Sequence, residues 1–456
     1  MTIVTASMVM ILPVRSDTFP HRHPRPRVWP GALVGRMARM ASHIDDLAAF
    51  VAASPTSYHA ASQIASRLDA ASYTVVSEMG GWQPAPRQYV VRDGAVIAWR
   101  VPESWRPEDG IRIVGSHTDS PALKLKPNPM MSSAGWQQLG VEVYGGPLLG
   151  TWLDRELGLA GRLVTRQGDV HLVTTGPILR VPHLAPHLDR TLGDRVQLDR
   201  QRHLQPVYAI GDGPDPYALL LAAAGVREAE LAAYDVFCYP TEASAVFGAQ
   251  GEFFASWRLD NLSSVHASLT AFLDDGSPGE ALAVFAAFDH EEVGSSTRSG
   301  ASGPFLADVL RRVTLALGLD EAAHLQTLAA SSCVSADAGH AVHPNYAEHH
   351  DPGNRPLPNH GPLLKLNAQQ RYASDAVGSS LWYSACRAAG VPTQEFVSNN
   401  AVPCGSTIGP LTATRLGIVT VDVGIPLLSM HSARELCGVA DPGYLAQALT
   451  AYWAAA

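Results

Sequence analysis

Cysteine is scarce and scattered: Cys238, Cys333, Cys386, Cys404 and Cys437 are the five in 456 residues. They form no Cys-x-x-Cys pair and no even framework, which argues against thiolate metal ligands and predicts a reducing, cytoplasmic setting. Positive charge is short too, with 33 Lys and Arg against 42 Asp and Glu for a formal charge of −9 at pH 7. This argues against nucleic acid as a partner, because a phosphate backbone needs a basic face. No apolar run approaches the roughly 20 residues needed to span a bilayer. The Gly-rich turn Gly405-Ser406-Thr407-Ile408-Gly409-Pro410 lacks a P-loop lysine, which argues against nucleotide binding. What remains is 46% hydrophobic, long enough to bury a large core in two domains.

The chemistry begins where an apolar run ends. Ala281 to Phe288 has the length and continuous apolarity of a strand buried on both faces, and Asp289-His290-Glu291-Glu292-Val293-Gly294-Ser295 follows it directly. Ligands in open α/β sheets gather where such strands leave the sheet. One carboxylate there can hold a divalent cation while its neighbour acts as a base toward water. Alone, the run is equally compatible with a solvated loop, and other segments decide between the readings. His117 closes the short strand Ile111 to Gly115, and Asp260 precedes a helical segment. Asp337 and His340 sit in Ser335-Ala336-Asp337-Ala338-Gly339-His340, and His431 in Leu428-Ser429-Met430-His431-Ser432. Imidazole and carboxylate suit zinc, cobalt or manganese, and a bridging carboxylate lets a pair of ions share a water. Asp119, two residues after His117, is placed to accept the other N–H of that imidazole.

Five ordered segments resemble the M18 metallopeptidases, the aspartyl aminopeptidases. They are Ser116-His117-Thr118-Asp119-Ser120-Pro121, Arg258-Leu259-Asp260-Asn261-Leu262, Asp289 to Ser295, Ser335-Ala336-Asp337 with His340-Ala341-Val342-His343-Pro344-Asn345-Tyr346, and Ser429-Met430-His431-Ser432. The likeness runs from about Ala41 to the C-terminus. It implies that Asp260 bridges two zinc ions, with His117, Asp337, Glu292 and His431 as terminal ligands not assigned to either ion. It also implies that Glu291 is the general base. Gly361-Pro362-Leu363-Leu364-Lys365-Leu366-Asn367 and Gln370-Arg371-Tyr372-Ala373-Ser374 resemble the family's pocket segment. There Lys365 would face an acidic N-terminal side chain, with His340 and Tyr372 as further substrate contacts. Leu179-Arg180-Val181-Pro182-His183-Leu184 resembles an element that brings a histidine into a neighbouring subunit's site, so His183 would act in trans.

The domain pattern is legible in outline. Residues 1–40, with Arg15 through His21-Arg22-His23-Pro24-Arg25-Pro26-Arg27 to Arg39, place their charge after the apolar stretch, the reverse of a signal peptide. They are read as a flexible extension or as translation upstream of the true start, with Met37 or Met40 as candidate starts; a tail for targeting or assembly is the alternative. From Ser42 the pattern is globular, with a helix over His43 to Val51 and strands at Arg87 to Arg92 and Ala95 to Arg100. Short segments at Val141 to Tyr144, Gly161 to Thr165, Val170 to Thr174 and Ile178 to Val181 read as an inserted β-rich domain. His117 precedes it, and the other candidate ligands follow it. The fold expected is therefore α/β: a discontinuous mixed α/β sandwich over 41–121 and 246–456. The β-rich insertion spans 122–245. The resemblance adds that this insertion builds dimers and that dimers assemble into a dodecamer.

Together these readings point to a cytoplasmic dinuclear zinc aminopeptidase that removes N-terminal Asp or Glu from peptides. The alternatives are a related aminopeptidase of broader specificity and a noncatalytic metal-binding oligomeric scaffold, which has no need of a base such as Glu291.

Overall fold

In a strand covered on both faces, alternate side chains serve two different cores, and the strand Leu282–Phe288 does so. Ala283, Phe285 and Ala287 pack into one cluster, with Leu262, Val265 and Leu269 of helix Leu259–Phe272 and with Leu445, Leu449 and Tyr452 of helix Asp441–Ala454. Leu282, Val284, Ala286 and Phe288 pack into another, with Phe305, Val309 and Val313 of helix Phe305–Ala316 and with Ile408 of helix Ile408–Leu416. The computed structural model describes residues 43–455 apart from 194–195, 214 and 275–278. The extension read over residues 1–40 lies outside the described residues.

This strand belongs to a nine-stranded sheet in the order Thr74–Val75, Arg87–Arg92, Ala95–Arg100, Leu282–Phe288, Ile111–His117, Ser332–Ala336, Val419–Gly424, Leu363–Leu366 and Gln394–Val397. The four strands from Leu282–Phe288 to Val419–Gly424 are mutually parallel. Their register sets Phe288 beside His117 and Ala336 beside Val423, so their C-terminal ends form one edge. The architecture is thus α/β, with a mixed sheet between helices.

From Ala122 the chain leaves this sheet. A separate antiparallel sheet of six strands follows, in the order Val170–Thr174, Leu157–Thr165, Leu231–Pro240, Ala122–Ser133, Trp136–Tyr144 and Val207–Ile210. Strand Ala122–Ser133 is not among the strands read from the sequence. Pro127 and Pro129 fall where its register with Trp136–Tyr144 shifts between Leu125 and Met130, a break that tolerates residues lacking an N–H. Conversely, Ile178 to Val181 forms isolated bridges at Leu179, Arg180 and Val181 rather than a strand. Five short strands, Ala245–Phe247, Phe253–Ser256, Glu435–Gly438, Pro426–Leu428 and Gly339–His340, make a third sheet that carries His431 beside the C-terminal edge. Among the described residues, no helix is long and apolar enough to cross a membrane.

Candidate metal centre

The C-terminal edge gathers the acidic and imidazole groups. His117 ends its strand and is 1% exposed. Asp337 follows Ser332–Ala336, and Glu291 and Glu292 open the turn after Leu282–Phe288. Asp260 lies in the first turn of helix Leu259–Phe272, after Arg258 in a left-handed conformation (φ 56°). The buried Arg258 guanidinium holds that turn by donating to the carbonyls of Ser54 and Thr118. His290, Ser429 and His431 also have positive φ, at 64°, 57° and 65°. Left-handed backbone is costly for side chains other than glycine, and here it accumulates around one site.

Asp260 presents one oxygen to each imidazole. Its Oδ1 lies 3.3 Å from His117 Nε2, and its Oδ2 lies 3.4 Å from His431 Nε2. Asp337 Oδ1 is also 3.3 Å from His117 Nε2, and Glu292 Oε2 is 3.3 Å from His431 Nε2. Three triads have potential ligand atoms within 4.8 Å of one another: His117, Asp260 and Asp337; Asp260, Glu292 and His431; and His117, Glu291 and Glu292. Each imidazole is oriented from behind. His117 Nδ1 lies 3.2 Å from the Asp119 carbonyl and 3.3 Å from Asp119 Oδ1, and His431 Nδ1 lies 3.0 Å from the Gly146 carbonyl. A proton on each Nδ1 satisfies these acceptors and leaves Nε2 as a lone pair toward the carboxylates.

This donor set fits divalent cations. Asp260 Oδ1 and Glu292 Oε1 are buried without a hydrogen-bond partner, a costly arrangement unless something positive lies between them. Burial pushes the Glu291 carboxyl up to about 7, with His117 pulling it down and the charges of Asp337, Asp260 and Asp119 pushing it further up. Glu292 is raised well above the carboxylate range, again chiefly by burial. His431 is raised to about 9 because Asp260 and Glu435 outweigh its burial.

Asp119 has a broader set of partners than its spacing from His117 suggests. It accepts the backbone N–H of Glu291 at 3.0 Å and of Glu292 at 3.1 Å, and the Tyr144 hydroxyl at 2.8 Å. Burial pushes its carboxyl up, but these donors and His117 hold it below its ordinary value. Glu435, which the sequence reading missed, joins two segments of the cluster. It accepts the Asp260 N–H at 3.0 Å and the His431 N–H at 2.7 Å while only 2% exposed. Its sole trace in the sequence is a carboxylate opening the apolar strand Glu435–Gly438.

A cavity of about 280 Å³ lies over the cluster, lined by Asp260, Glu291, Glu292, Asp337, His340, Lys365, Tyr372 and His431 among others. Lys365 is 2% exposed; its Nζ donates to the Ala338 carbonyl at 2.6 Å and lies 3.6 Å from Asp337 Oδ2. The Tyr372 ring centroid is 5.4 Å from that ammonium. His183 is not among the groups brought together within the single chain. It is held by its N–H on Asp154 Oδ1 at 3.1 Å and by Nδ1 near the Leu184 carbonyl at 2.7 Å. Asp289 and His290 also stay out of the triads: Asp289 is buried beneath the turn, and His290 lies 3.0 Å from Thr297 Oγ1 through Nδ1.

Comparison with known proteins extends this geometry. The family model described as aminopeptidase I zinc metalloprotease (M18) matches residues 50–453. The chain is 49% identical to the "Probable M18 family aminopeptidase 2" of Streptomyces coelicolor over 419 residues, 90% of this chain and 97% of the relative. Among solved structures, it is similar to that titled "Cryo-EM structure of the Ape4 and Nbr1 complex", with TM-score 0.87 and 34% identity over 91% of this chain and 86% of the other. It is also similar to the S. cerevisiae mApe1 dodecamer, with TM-score 0.79 and 29% identity over 90% and 97% of the two chains.

Proposed function

The chain belongs to the M18 family of zinc aminopeptidases, and from that premise we propose that it removes N-terminal Asp and Glu from peptides at a dinuclear zinc site. The observation that carries this reading is Asp260, whose two carboxylate oxygens face two separate sets of donors. His117 and Asp337 would hold one ion and Glu292 and His431 the other, with Asp260 shared between them. When bound, divalent ions of this kind polarise a carbonyl and lower the pKa of water; cobalt or manganese would also suit these ligands.

The protein's own groups then have distinct tasks. Glu291 takes a proton from the attacking water as its oxygen bonds to the scissile carbonyl carbon. The same carboxylic acid returns that proton to the amide nitrogen as the C–N bond breaks, leaving a free amine. Burial favours this work by raising the proton affinity of Glu291 toward neutrality. Asp119 fixes the backbone of Glu291 and Glu292 through their N–H groups. Lys365 selects an acidic side chain by charge, with Tyr372 and His340 as cavity walls. His183 would complete the site of a neighbouring subunit, in an assembly of dimers built through residues 122–245 and closing as a dodecamer. The enzyme would act on cytoplasmic peptides.

One observation favours broader specificity instead. Lys365 already donates to Ala338 and faces Asp337, so part of its charge is engaged within the chain. The test is release of N-terminal residues from acidic, neutral and basic peptides by zinc-loaded protein, chelated protein and Glu291→Gln. Acidic-selective release that disappears in both controls, and acidic preference lost in Lys365→Ala, are the expected results. Equal turnover of neutral peptides would establish the broader reading, and no turnover despite bound zinc would leave a noncatalytic scaffold.

A further inference from the structure

One strand end of the six-stranded sheet, with the residues that follow it, runs against the metal cluster. Its strand Trp136–Tyr144 ends with Tyr144, whose hydroxyl donates to Asp119 Oδ2 at 2.8 Å. Gly145, with φ 71°, packs so closely that a Cβ there would stand 3.2 Å from Glu292 Cβ. The Gly146 carbonyl lies 3.0 Å from His431 Nδ1. The Leu148 N–H donates to the His431 carbonyl at 2.9 Å, and Thr151 Oγ1 accepts the Ala433 N–H at 2.9 Å. Residues 144–151 therefore supply an orienting partner to His431 and, through Asp119, to the backbone of Glu291 and Glu292.

We propose that this run is a positioning clamp. The Tyr144 hydroxyl and the Gly146 carbonyl orient Asp119 and His431, and thereby set zinc affinity and the placement of Glu291. Groups that orient ligands from behind commonly change metal affinity or activity 10–100-fold when removed. Tyr144 closes a strand of the six-stranded sheet, whereas Glu291, Glu292 and Asp337 follow strands of the nine-stranded sheet and Asp260 lies on a helix, so the clamp joins separate elements at the ligands. Packing alone does not require this chemistry: the Tyr144 ring stands edge-on to Phe237 at 5.6 Å, and phenylalanine would keep that contact.

Tyr144→Phe tests the donor alone. Zinc affinity of the chelated, full-length chain is expected to fall about 10–100-fold by competition titration. The visible spectrum of the cobalt-loaded protein should change, and kcat should fall with little change in KM, while the chelated chain loses only the stability of one hydrogen bond to a carboxylate. In a double-mutant cycle, Tyr144→Phe should add little to the loss in Asp119→Asn, because both act through one carboxylate. Thr151→Val probes the His431 arm independently and should also weaken zinc binding. Unchanged affinity and cobalt spectra in both single variants would overturn the proposal. So would losses that track destabilisation of the chelated chain or add fully to Asp119→Asn. The inference rests on the metal-site reading: a parent protein that binds no zinc would end that reading, whereas zinc binding indifferent to these substitutions would end only the clamp.

Discussion

Two aspartates of this protein, Asp235 half-buried and Asp260 buried, are treated in opposite ways. Asp235, in the six-stranded sheet, has both oxygens matched by the chain's own cations: Lys124 Nζ at 2.7 Å and Arg162 Nε at 2.9 Å. Arg162 continues to Asp93 at 2.8 Å, tying this sheet to the turn between Arg87–Arg92 and Ala95–Arg100. Asp260 instead faces two imidazoles at 3.3 and 3.4 Å and keeps Oδ1 without a hydrogen-bond partner. The first is completed by the chain's own cations, whereas the second, on the metal-site reading proposed above, would be completed by bound cations. The same side chain thus meets lysine and arginine in one region and two imidazoles in the other.

Asp260→Asn should break the contrast most strongly. Zinc content should fall and kcat/KM should drop roughly 1,000-fold or more, since the metal supplies several kcal/mol of transition-state stabilisation. The chelated chain should melt lower than the parent, because burial pushes the Asp260 carboxyl up but His117 and His431 hold it below its ordinary value, and the amide gives up those pairings. Peptide assays, metal analysis and melting curves read the three effects separately. Glu435→Gln should come next, because it sets an amide N–H₂ against one of two backbone N–H donors. Zinc affinity should fall about 10–100-fold by competition titration. Chelating the parent should cost about 4 kcal/mol of stability relative to zinc at 1,000 times its dissociation constant, measured in urea. Asp260→Asn should lose almost none of it.

The complementary break is Asp235→Asn, expected to cost about 1.5–3 kcal/mol in urea unfolding while altering zinc affinity little. Burial pushes the Asp235 carboxyl up, but Lys124 and Arg162 outweigh it and hold it below its ordinary value. Its contribution to stability is therefore present above the unfolded carboxylate range near 3.8 and is lost as pH falls through the depressed folded value. The smallest effect should be a flatter acid limb of stability against pH in Asp235→Asn, read by urea melts on both sides of pH 4.

Legibility followed locality. The buried strand Leu282–Phe288 was readable because it carries its signal within one window. The candidate ligands were readable through their short motifs, and their meeting at one edge follows from parallel strands in register. Ala122–Ser133 was obscured by Pro127 and Pro129, which suit its irregular register but mimic a loop in sequence. Tyr144 and Gly146 were invisible because their importance lies in contacts with Asp119 and His431, distant in sequence. Glu435 carried a weak local signal, but only the fold reveals that its oxygens join two segments.

The cluster's wide span along the chain also gives it a chronology. His117 and His431 stand at opposite ends of the ligand series, and the intervening residues must be synthesised before their imidazoles can meet across Asp260. At roughly 5–20 residues per second, this separates their emergence by roughly 15–60 s. A growing polypeptide therefore carries only a partial set of these candidate ligands until His431 has been added.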